Sequence, residues 1–209
     1  MTVPTHPSPE PIGIQTVWMG SEILDRAERA VAKVRERLLR ATSALNQAGI
    51  PYAVVGGNAV AFWVATVDEG AVRNTRDVDL LVRREDLSAV TDALERAGFV
   101  RDELLDVIMF RDGPQGKPSD AIHLLFVGEK MRPDHLLPAP AIEAVATADN
   151  YRVQGLEPLL TMKLMSNWDK DRTHVRDLIG VGLIDASWLV KLPPELANRL
   201  KQILDTPEG

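Results

Sequence analysis

The stretch from Tyr52 to Val82 constrains this chain more than any other, because it combines a pair of glycines with a pair of aspartates. Its sequence, YAVVGGNAVAFWVATVDEGAVRNTRDVDLLV, predicts a short buried strand, a glycine turn, an apolar helix, a loop and a second strand. The second strand carries Asp77 and Asp79. Side chains two residues apart on a strand share one face, so we expect both carboxylates to project together.

Two carboxylates that are held together repel each other unless a cation lies between them. Oxygen donors of this kind suit a hard ion such as Mg²⁺ or Mn²⁺. Gly56 and Gly57 lie where the first strand becomes a helix, and a turn without side chains lets a phosphate approach backbone N–H groups and the positive helix end. The combination predicts phosphoryl or nucleotidyl transfer. The alternative is a dinucleotide-fold-like strand turn followed by an unrelated acidic strand end.

The order of these residues, GG at 56–57 followed by RNTRDVD at 73–79, resembles the minimal nucleotidyltransferases of the polymerase-beta type. The nearest likeness is to the AbiEii-like proteins, the toxin-side nucleotidyltransferases of abortive-infection systems. The resemblance implies that Asp77 and Asp79 hold the catalytic metal ions. The nucleotide-binding residues that it implies are Gly56, Gly57, Arg73 and Thr75. From the residues alone, Arg73 could instead neutralise the aspartates.

The same resemblance predicts a third carboxylate on a neighbouring strand. The matching strand here is Ala121–Val127, and its centre carries His123 instead. Imidazole is a poor Mg²⁺ ligand but can act as a general base near neutral pH, so we predict His123 as a catalytic residue. The alternative is a histidine that is held by structural hydrogen bonds. Asp120 has the opposite parity on the strand and should face away.

A second group of candidate residues lies in the C-terminal third. Lys163 falls within an apolar stripe of a predicted helix, where an unpaired ammonium would be costly to bury, so it should meet an anion. The segment KDRTHVRDL at 170–178 resembles the AbiEii-like C-terminal pattern. This implies that Lys163 contacts the triphosphate and that Asp171 and Asp177 position the substrate or the lysine. The alternatives are snorkelling of Lys163 and helix capping by Asp171.

The order of predicted elements favours an α/β (α+β) fold, a nucleotidyltransferase-like mixed sheet flanked by helices, with a helical C-terminal lobe. Amphipathic helices are predicted over Ser21–Ala48 and Arg84–Ala97. Strand-like runs at Leu104–Arg111 and Ala121–Val127 flank a turn-rich loop and predict a β-hairpin. One more short strand is predicted at Tyr151–Val153, before helices over 156–168, 171–183 and 194–204.

Three segments follow from this order. Residues 1–20 are proline-rich and are expected to form a poorly ordered lead-in. Residues 21–150 should form the α/β domain with its long N-terminal helix, and residues 151–209 the helical lobe. The long helix is expected to pack on the domain; the alternative is a helix that serves as a partner surface.

Composition narrows the classes of function. The 209-residue chain has a net charge of −6, which argues against a generally basic surface but leaves room for a local basic patch. It has no cysteine, which excludes disulfides and thiolate metal sites. Without a signal peptide or a long apolar run, we expect a cytoplasmic protein that makes no membrane contact.

The main hypothesis is a metal-dependent nucleotidyltransferase that moves a nucleoside monophosphate from a nucleoside triphosphate to a hydroxyl of RNA, protein or a small molecule. The AbiEii-like resemblance adds a toxin role with a cognate antitoxin. Because a third acid is missing, the alternative is a catalytically degenerate member that binds nucleotide without turnover. A protein-interaction role for the Ser21–Ala48 helix is the competing hypothesis from another class.

Overall fold

A computed structural model of the chain describes residues 20–105 and 107–207. The predicted lead-in over residues 1–20 falls outside the described part, except for Gly20, with which the first helix begins. Within the described residues the chain forms one seven-stranded sheet and six α-helices. The strands are β1 (Ala53–Val55), β2 (Val78–Val82), β3 (Val100–Leu104), β4 (Val107–Arg111), β5 (Ile122–Phe126), β6 (Ala144–Ala146) and β7 (Arg152–Gln154). The helices are α1 (Gly20–Gln47), α2 (Gly56–Ala65), α3 (Leu87–Arg96), α4 (Leu156–Ser166), α5 (Asp169–Gly180) and α6 (Pro194–Asp205).

The sheet is mixed, with strand order β3-β4-β5-β2-β1-β7-β6. The central strand β2 runs antiparallel to β1 and parallel to β5, and β1 runs parallel to β7. Four of the five residues of β2 are fully buried, which agrees with an apolar strand covered on both faces. The predicted α/β mixed sheet with flanking helices is confirmed.

One continuous hydrophobic core extends from α1 to α6, from Leu38 to Ile203. It includes residues on both sides of position 150, and β7 joins the sheet beside β1. The division into an α/β domain and a C-terminal lobe at residue 150 stays a prediction. No helix within residues 20–105 and 107–207 has the length and apolar composition needed to cross a membrane.

The two edge strands of the sheet, β3 and β6, are missing from the sequence-based prediction. The predicted run Leu104–Arg111 corresponds to the last residue of β3 followed by β4. The predicted β-hairpin around the turn-rich loop is confirmed, because β4 pairs antiparallel with β5, with Met109 opposite His123. The strand predicted at 151–153 is β7, shifted by one residue.

The predicted helices are present with different ends. A 3₁₀ turn at Arg84–Asp86 precedes α3, which begins at Leu87. Helix α4 ends at Ser166 because Asn167 adopts a left-handed conformation with φ 52°. Helix α5 consequently begins two residues earlier than predicted, at Asp169.

Helix α1 packs on the domain through its C-terminal half only. Leu38, Ala41 and Leu45 of the predicted apolar seam are buried, whereas Leu24 and Val31 of the same seam are exposed. The expectation that the helix packs against the domain therefore holds for its second half. Its first half leaves an apolar face uncovered by the described residues.

Candidate active site

The glycine turn and the strand that carries Asp79 meet directly. Strands β1 and β2 pair antiparallel with Val55 opposite Asp79, and α2 begins with the next residue, Gly56. Gly56 has φ +66°, and a Cβ at this position would overlap the Oδ2 atom of Asp79. Glycine is thus required at position 56 for two reasons. Residues with a side chain rarely adopt this backbone conformation, and the carboxylate of Asp79 fills the space that a side chain would need.

The second glycine of the pair meets the second residue of the motif in the same way. A Cβ at Gly57 would lie 2.8 Å from the Oγ1 atom of Thr75. Real Cβ atoms do not approach so closely, so Thr75 can occupy its position only because residue 57 is glycine. The glycine pair therefore makes room for Asp79 and Thr75. Its predicted contact with phosphate remains a prediction.

The sequence had led us to expect Asp77 inside β2. It lies one residue before that strand instead. Its backbone carbonyl accepts a hydrogen bond of 2.7 Å from Nδ2 of Asn58 on α2. Its carboxylate Oδ2 lies 3.6 Å from Nζ of Lys170 on α5. Because Lys170 is more than half exposed, this ion pair is weak and can exchange for another cation. Asn58 and Lys170 are both residues that the sequence analysis did not include in the site.

His123 lies directly opposite Asp79 on the parallel strand β5. Its Nδ1 atom is 3.6 Å from Oδ1 of Asp79, which is longer than an ordinary hydrogen bond, so we treat the contact as an ion pair. The contact with Asp79 raises the pKa of His123 above its usual value, with a further contribution from Asp77, although burial and the charge of Lys170 oppose the shift. The histidine thus stands beside the aspartate where a third acid was expected.

A cavity of about 630 Å³ opens beside these residues, and we call it the Asp77 cavity. Asp77, His123, Arg73 and Thr75 line it together with three residues of α5, which are Lys170, Thr173 and His174. Asp120 lines a different cavity. It belongs to the 3₁₀ turn Pro118–Asp120, before β5, so the strand-parity argument does not apply to it. The Asp77 cavity therefore joins the carboxylate of Asp77 to several cationic side chains, a combination that suits a phosphate-bearing ligand and a metal ion. Asp79 is not among the described residues that line the cavity.

Arg73 and Asp177, both predicted as site residues, contact each other. The Nε atom of Arg73 donates a hydrogen bond of 2.8 Å to Oδ1 of Asp177. Arg73 is mostly exposed while Asp177 is nearly buried. The pair joins the loop before β2 to α5. The acid that Arg73 neutralises is thus Asp177, rather than Asp77 or Asp79 as the alternative had suggested.

Lys163 and Asp171 form a buried ion pair, with Nζ 2.8 Å from Oδ1. The two residues are only 7% and 8% exposed. Burial alone would raise the pKa of Asp171, but the charge and the hydrogen bond of Lys163 outweigh it and the pKa is lowered. The expectation that Lys163 meets an anion is met by Asp171. Asp171 is the third residue of α5, and the N-cap residue of that helix is Trp168, so Asp171 is not the cap. Neither Lys163 nor Asp171 lines the Asp77 cavity.

His174 is a cavity residue that the sequence analysis missed. It is buried, and its Nδ1 atom has no hydrogen-bond partner among the described residues. Burial, followed by the charge of Lys163, lowers its pKa to about 4. Lys170, His174 and Asp177 recur at helical spacing on one face of α5. That spacing is the signal that would have placed Lys170 and His174 beside the predicted Asp177.

The donor set suits a metal ion held by two carboxylates. Asp77 and Asp79 offer oxygen atoms of the kind that Mg²⁺ and Mn²⁺ prefer, and both side chains are partly exposed. No group of three or more acidic, histidine or cysteine ligands occurs within the described part of the chain. Mg²⁺ usually takes one or two carboxylates and completes its shell with water and substrate phosphates, so the residues fit such an ion.

A family model described as "Uncharacterised nucleotidyltransferase" matches residues 21–131, which is more than half of the 209-residue chain. The chain belongs to this nucleotidyltransferase family. The match includes the glycine turn, Asp77, Asp79 and His123, and it ends before Lys163, Asp171 and Asp177. The match does not assign the chain to the AbiEii-like subfamily, which stays a prediction.

Two solved structures of the antibiotic-resistance factor ANT(2'')-Ia share the fold of this chain. The solution structure has a TM-score of 0.50 at 13% identity, covering 84% of this chain and 91% of that one. The crystal structure in complex with adenylyl-2''-tobramycin has a TM-score of 0.50 at 14% identity, covering 85% of this chain and 99% of that one. At these identities the likeness shows the fold alone.

A stretch of 105 residues is 33% identical to part of a protein named leucine–tRNA ligase from Paenarthrobacter aurescens (strain TC1). The aligned stretch covers 48% of this chain but only 12% of that protein. The shared segment is therefore a small part of the longer protein.

Proposed function

We propose that this chain transfers a nucleoside monophosphate from a nucleoside triphosphate to an acceptor hydroxyl, with Mg²⁺ or Mn²⁺ as cofactor. The observation that carries the proposal is the contact of Asp79 with the glycine turn at Gly56, beside His123. Asp77 lies in the adjoining cavity among cationic side chains. Membership in a nucleotidyltransferase family supports the same reaction.

Asp77 and Asp79 would hold the ion. A bound ion of this kind neutralises phosphate charge and stabilises the attacking and leaving oxygens. Two of the positive side chains that line the Asp77 cavity, Arg73 and Lys170, would bind the phosphates of the nucleotide. Lys170 lies close enough to Asp77 to respond when an ion or a phosphate arrives.

The reaction balances as a displacement at the α-phosphorus. The acceptor oxygen forms a bond to the α-phosphorus while the bond from that phosphorus to the oxygen bridging to the β-phosphorus breaks. Pyrophosphate leaves with the electron pair of the broken bond, and the hydroxyl proton passes to a base. His123 is our candidate for that base because it lies beside Asp79 at the cavity wall.

We propose that Lys163 and Asp171 act through α5 rather than on the triphosphate. The Nζ atom of Lys163 is occupied by Asp171 inside the protein, and a phosphate contact would require that pair to open. The pair fixes the first turn of α5, which carries Lys170. Asp177 would position Arg73 in the same way from the last turns of the helix.

Three acceptor classes remain: RNA, a protein and a small molecule. The adenylyl-2''-tobramycin in the ANT(2'')-Ia crystal structure is a nucleotidylated small molecule, which supports such an acceptor by analogy of fold. A toxin role with a cognate antitoxin rests on the motif resemblance alone. The need for nucleoside triphosphate agrees with the predicted cytoplasmic location.

A catalytically degenerate or protein-interaction role is the second candidate function. Two observations favour it: His123 in place of a third acid, and the exposed apolar residues Ile23, Leu24 and Val31 on α1. Under this alternative, nucleotide would bind in the presence of metal without transfer. A change of Val31→Glu would alter the oligomeric state or partner binding.

The proposal is tested by incubating the protein with Mg²⁺ or Mn²⁺, each α-labelled nucleoside triphosphate, total RNA and a cell extract. We expect label on one acceptor class, and loss of that label in Asp79→Asn. The matched control is Asp92→Asn, because Asp92 is an exposed residue of α3 away from the site. Metal-dependent nucleotide binding without label transfer to any acceptor would contradict the proposal and favour the degenerate alternative.

A further inference from the structure

A groove of about 470 Å³, which we call the basic groove, runs between the first half of α1 and the loops that precede β2 and β5. Six positively charged residues line it: Arg26, Arg29, Lys33, Arg37, Arg76 and Lys117. Asp120 is the one acidic residue among the described residues that line it. The whole chain has 24 basic and 30 acidic residues. The groove is therefore positively charged although the protein as a whole is negatively charged.

The cations of α1 form a regular row. Arg26, Arg29, Lys33 and Arg37 follow one another at steps of three, four and four residues, so they share one helix face. At 1.5 Å of rise per residue the exposed part of the row, from Arg26 to Lys33, is about 10 Å long. This length corresponds to about three nucleotides of a strand that advances 3.4 Å per nucleotide.

Most of these cations are available to a ligand. Arg29, Lys33, Arg76 and Lys117 are exposed, and none of the four has an acidic partner within 4.0 Å among the residues that the structure describes. Arg26 makes only an exposed contact of 3.9 Å with Glu22, which contributes little.

Arg37 has a different role, because it is buried and fixes the groove to the active site. Its Nη1 atom donates a hydrogen bond of 3.1 Å to the backbone carbonyl of Arg76, the residue before Asp77. Arg76 and Ser119 line both the basic groove and the Asp77 cavity. The two depressions therefore lie side by side, and a ligand chain in the groove can place its end next to Asp77.

We infer that the basic groove binds the phosphodiester backbone of a single-stranded nucleic acid and so directs its terminal hydroxyl into the Asp77 cavity. This inference rests on the proposed function and names its acceptor class. A row of cations without an aromatic platform contacts phosphates rather than bases, so binding is independent of sequence and dependent on salt. An acidic protein is the weaker candidate, since Ala30 and Val34 alone supply apolar lining among the residues that the structure describes and protein interfaces need an apolar centre.

The test measures fluorescence anisotropy with a labelled mixed-sequence 12-nucleotide RNA that keeps a free 3′ hydroxyl, together with the matching DNA. Contacts with three or four phosphates predict that the affinity falls roughly 20- to 50-fold between 50 and 200 mM salt. RNA and DNA should bind alike, because the phosphodiester backbone is common to both.

The double variant Arg29→Glu/Lys33→Glu should weaken binding by at least about tenfold at 50 mM salt and reduce the steepness of the salt dependence. The control, Arg96→Glu/Lys201→Glu, makes the same change in net charge at exposed residues of α3 and α6. It should keep most of the affinity. Equal losses in the two double variants would overturn the inference, as would an absence of RNA and DNA binding at 50 mM salt. Tighter binding of poly-glutamate than of RNA at matched charge would also overturn it, in favour of an acidic protein partner.

The failure of this inference can be separated from failure of the proposed function. Asp79→Asn should keep its RNA affinity within about threefold while losing label transfer to the RNA end. If label is transferred to a small molecule and RNA is not bound, the groove inference fails and the proposed function stands. If RNA is bound through the groove and no acceptor is labelled, the proposed function fails instead.

Discussion

The carboxylate of Asp79 occupies the space that a side chain at Gly56 would need. Gly56 has φ +66° at the first residue of α2, and its missing Cβ leaves room for the Oδ2 atom of the aspartate. Gly57 and Thr75 stand in the same relationship one residue further along. The glycine pair and the RNTRDVD motif thus form one packed unit, although fifteen residues, 58 to 72, separate them in the sequence.

The change Gly56→Ala should therefore displace Asp79 and cost more than the backbone strain alone. A left-handed conformation costs an alanine about 1 to 2 kcal/mol, and the overlap with the carboxylate adds about 1 to 3 kcal/mol. Urea unfolding measures the sum, and Mn²⁺ binding measures the displacement of the carboxylate.

Gly49→Ala is the matched control, because Gly49 has the same φ of +66° with no atom within 4 Å of the added Cβ. It should lose only the stability that the backbone strain costs, and it should bind Mn²⁺ as the wild type does. Equal unfolding free energies for the two variants would show that Asp79 does not depend on Gly56.

The change His123→Asp should create the third carboxylate that the polymerase-beta pattern contains. Because residue 123 lies directly opposite Asp79, the new acid should repel it and destabilise the metal-free protein by up to about 1 kcal/mol. With Mn²⁺ bound, the extra oxygen ligand should restore the stability and tighten metal binding roughly tenfold. Thermal unfolding with and without Mn²⁺ measures both effects.

His123→Asn is the control for size, since it matches aspartate in shape and carries no charge. It should neither destabilise the metal-free protein through repulsion nor bind Mn²⁺ more tightly. Identical Mn²⁺ titrations for His123→Asp and His123→Asn would show that residue 123 does not contact the bound metal ion.

Lys163→Met should destabilise the protein by about 3 to 5 kcal/mol, because it leaves Asp171 as a buried charge without its partner. The double variant Lys163→Met/Asp171→Leu removes both charges and should lose less stability than Lys163→Met alone. Urea unfolding of both variants measures the difference.

Nucleotide affinity separates the structural role of Lys163 from a direct role. Lys170→Ala removes an exposed cation and should weaken nucleotide binding with a stability change below about 1 kcal/mol. The folded double variant at 163 and 171 should keep most of its nucleotide affinity. If Lys163→Met/Asp171→Leu folds but no longer binds nucleotide, the result would support the direct contact between Lys163 and the triphosphate that the motif resemblance implies.

The centre of the fold was predictable and its edges were not, for a physical reason. Strands β2 and β5 are rich in apolar residues because neighbouring strands and helices cover them. Strand β3 has the sequence VRDEL, and β6 has three residues, two of them exposed. Both lie at the edges of the sheet, where neither continuous apolar character nor strict alternation is required, so no periodic signal marks them.

The candidate site was predictable where its residues are close in sequence. Asp79 and the glycine pair follow from local strand and turn rules, whereas Asp77 lies one residue before β2, outside the strand on which those rules had placed it. The partners of Arg73 and Lys163 did not follow, because an ion pair across 104 residues, or between two helices, is decided by tertiary packing. The chemistry of a buried lysine predicts that an anion is present but not which one.

Stability should fall as the pH falls from 6.5 towards 4, owing to His174. Burial and the charge of Lys163 lower its pKa to about 4. Between pH 6.5 and 4, His174 is therefore protonated in the unfolded chain but neutral in the folded protein. Through His174 alone, the free energy of unfolding should fall by about 2 kcal/mol between pH 7 and pH 5. Burial lowers the pKa of His135 as well, which acts in the same direction, whereas the raised pKa of His123 acts in the opposite one. The lowered pKa of Asp171 acts below this range.

The variant His174→Gln isolates the contribution of one histidine, because the other titrating residues are unchanged. Its own unfolding free energy should vary less between pH 7 and 5 than that of the wild type, by about 2 kcal/mol. Urea unfolding at the two pH values measures this difference whatever the variant loses in packing at pH 7. Parallel pH profiles for the two proteins would mean that His174 accepts a proton in the folded state as readily as in the unfolded chain, so that its burial beside Lys163 does not keep it neutral.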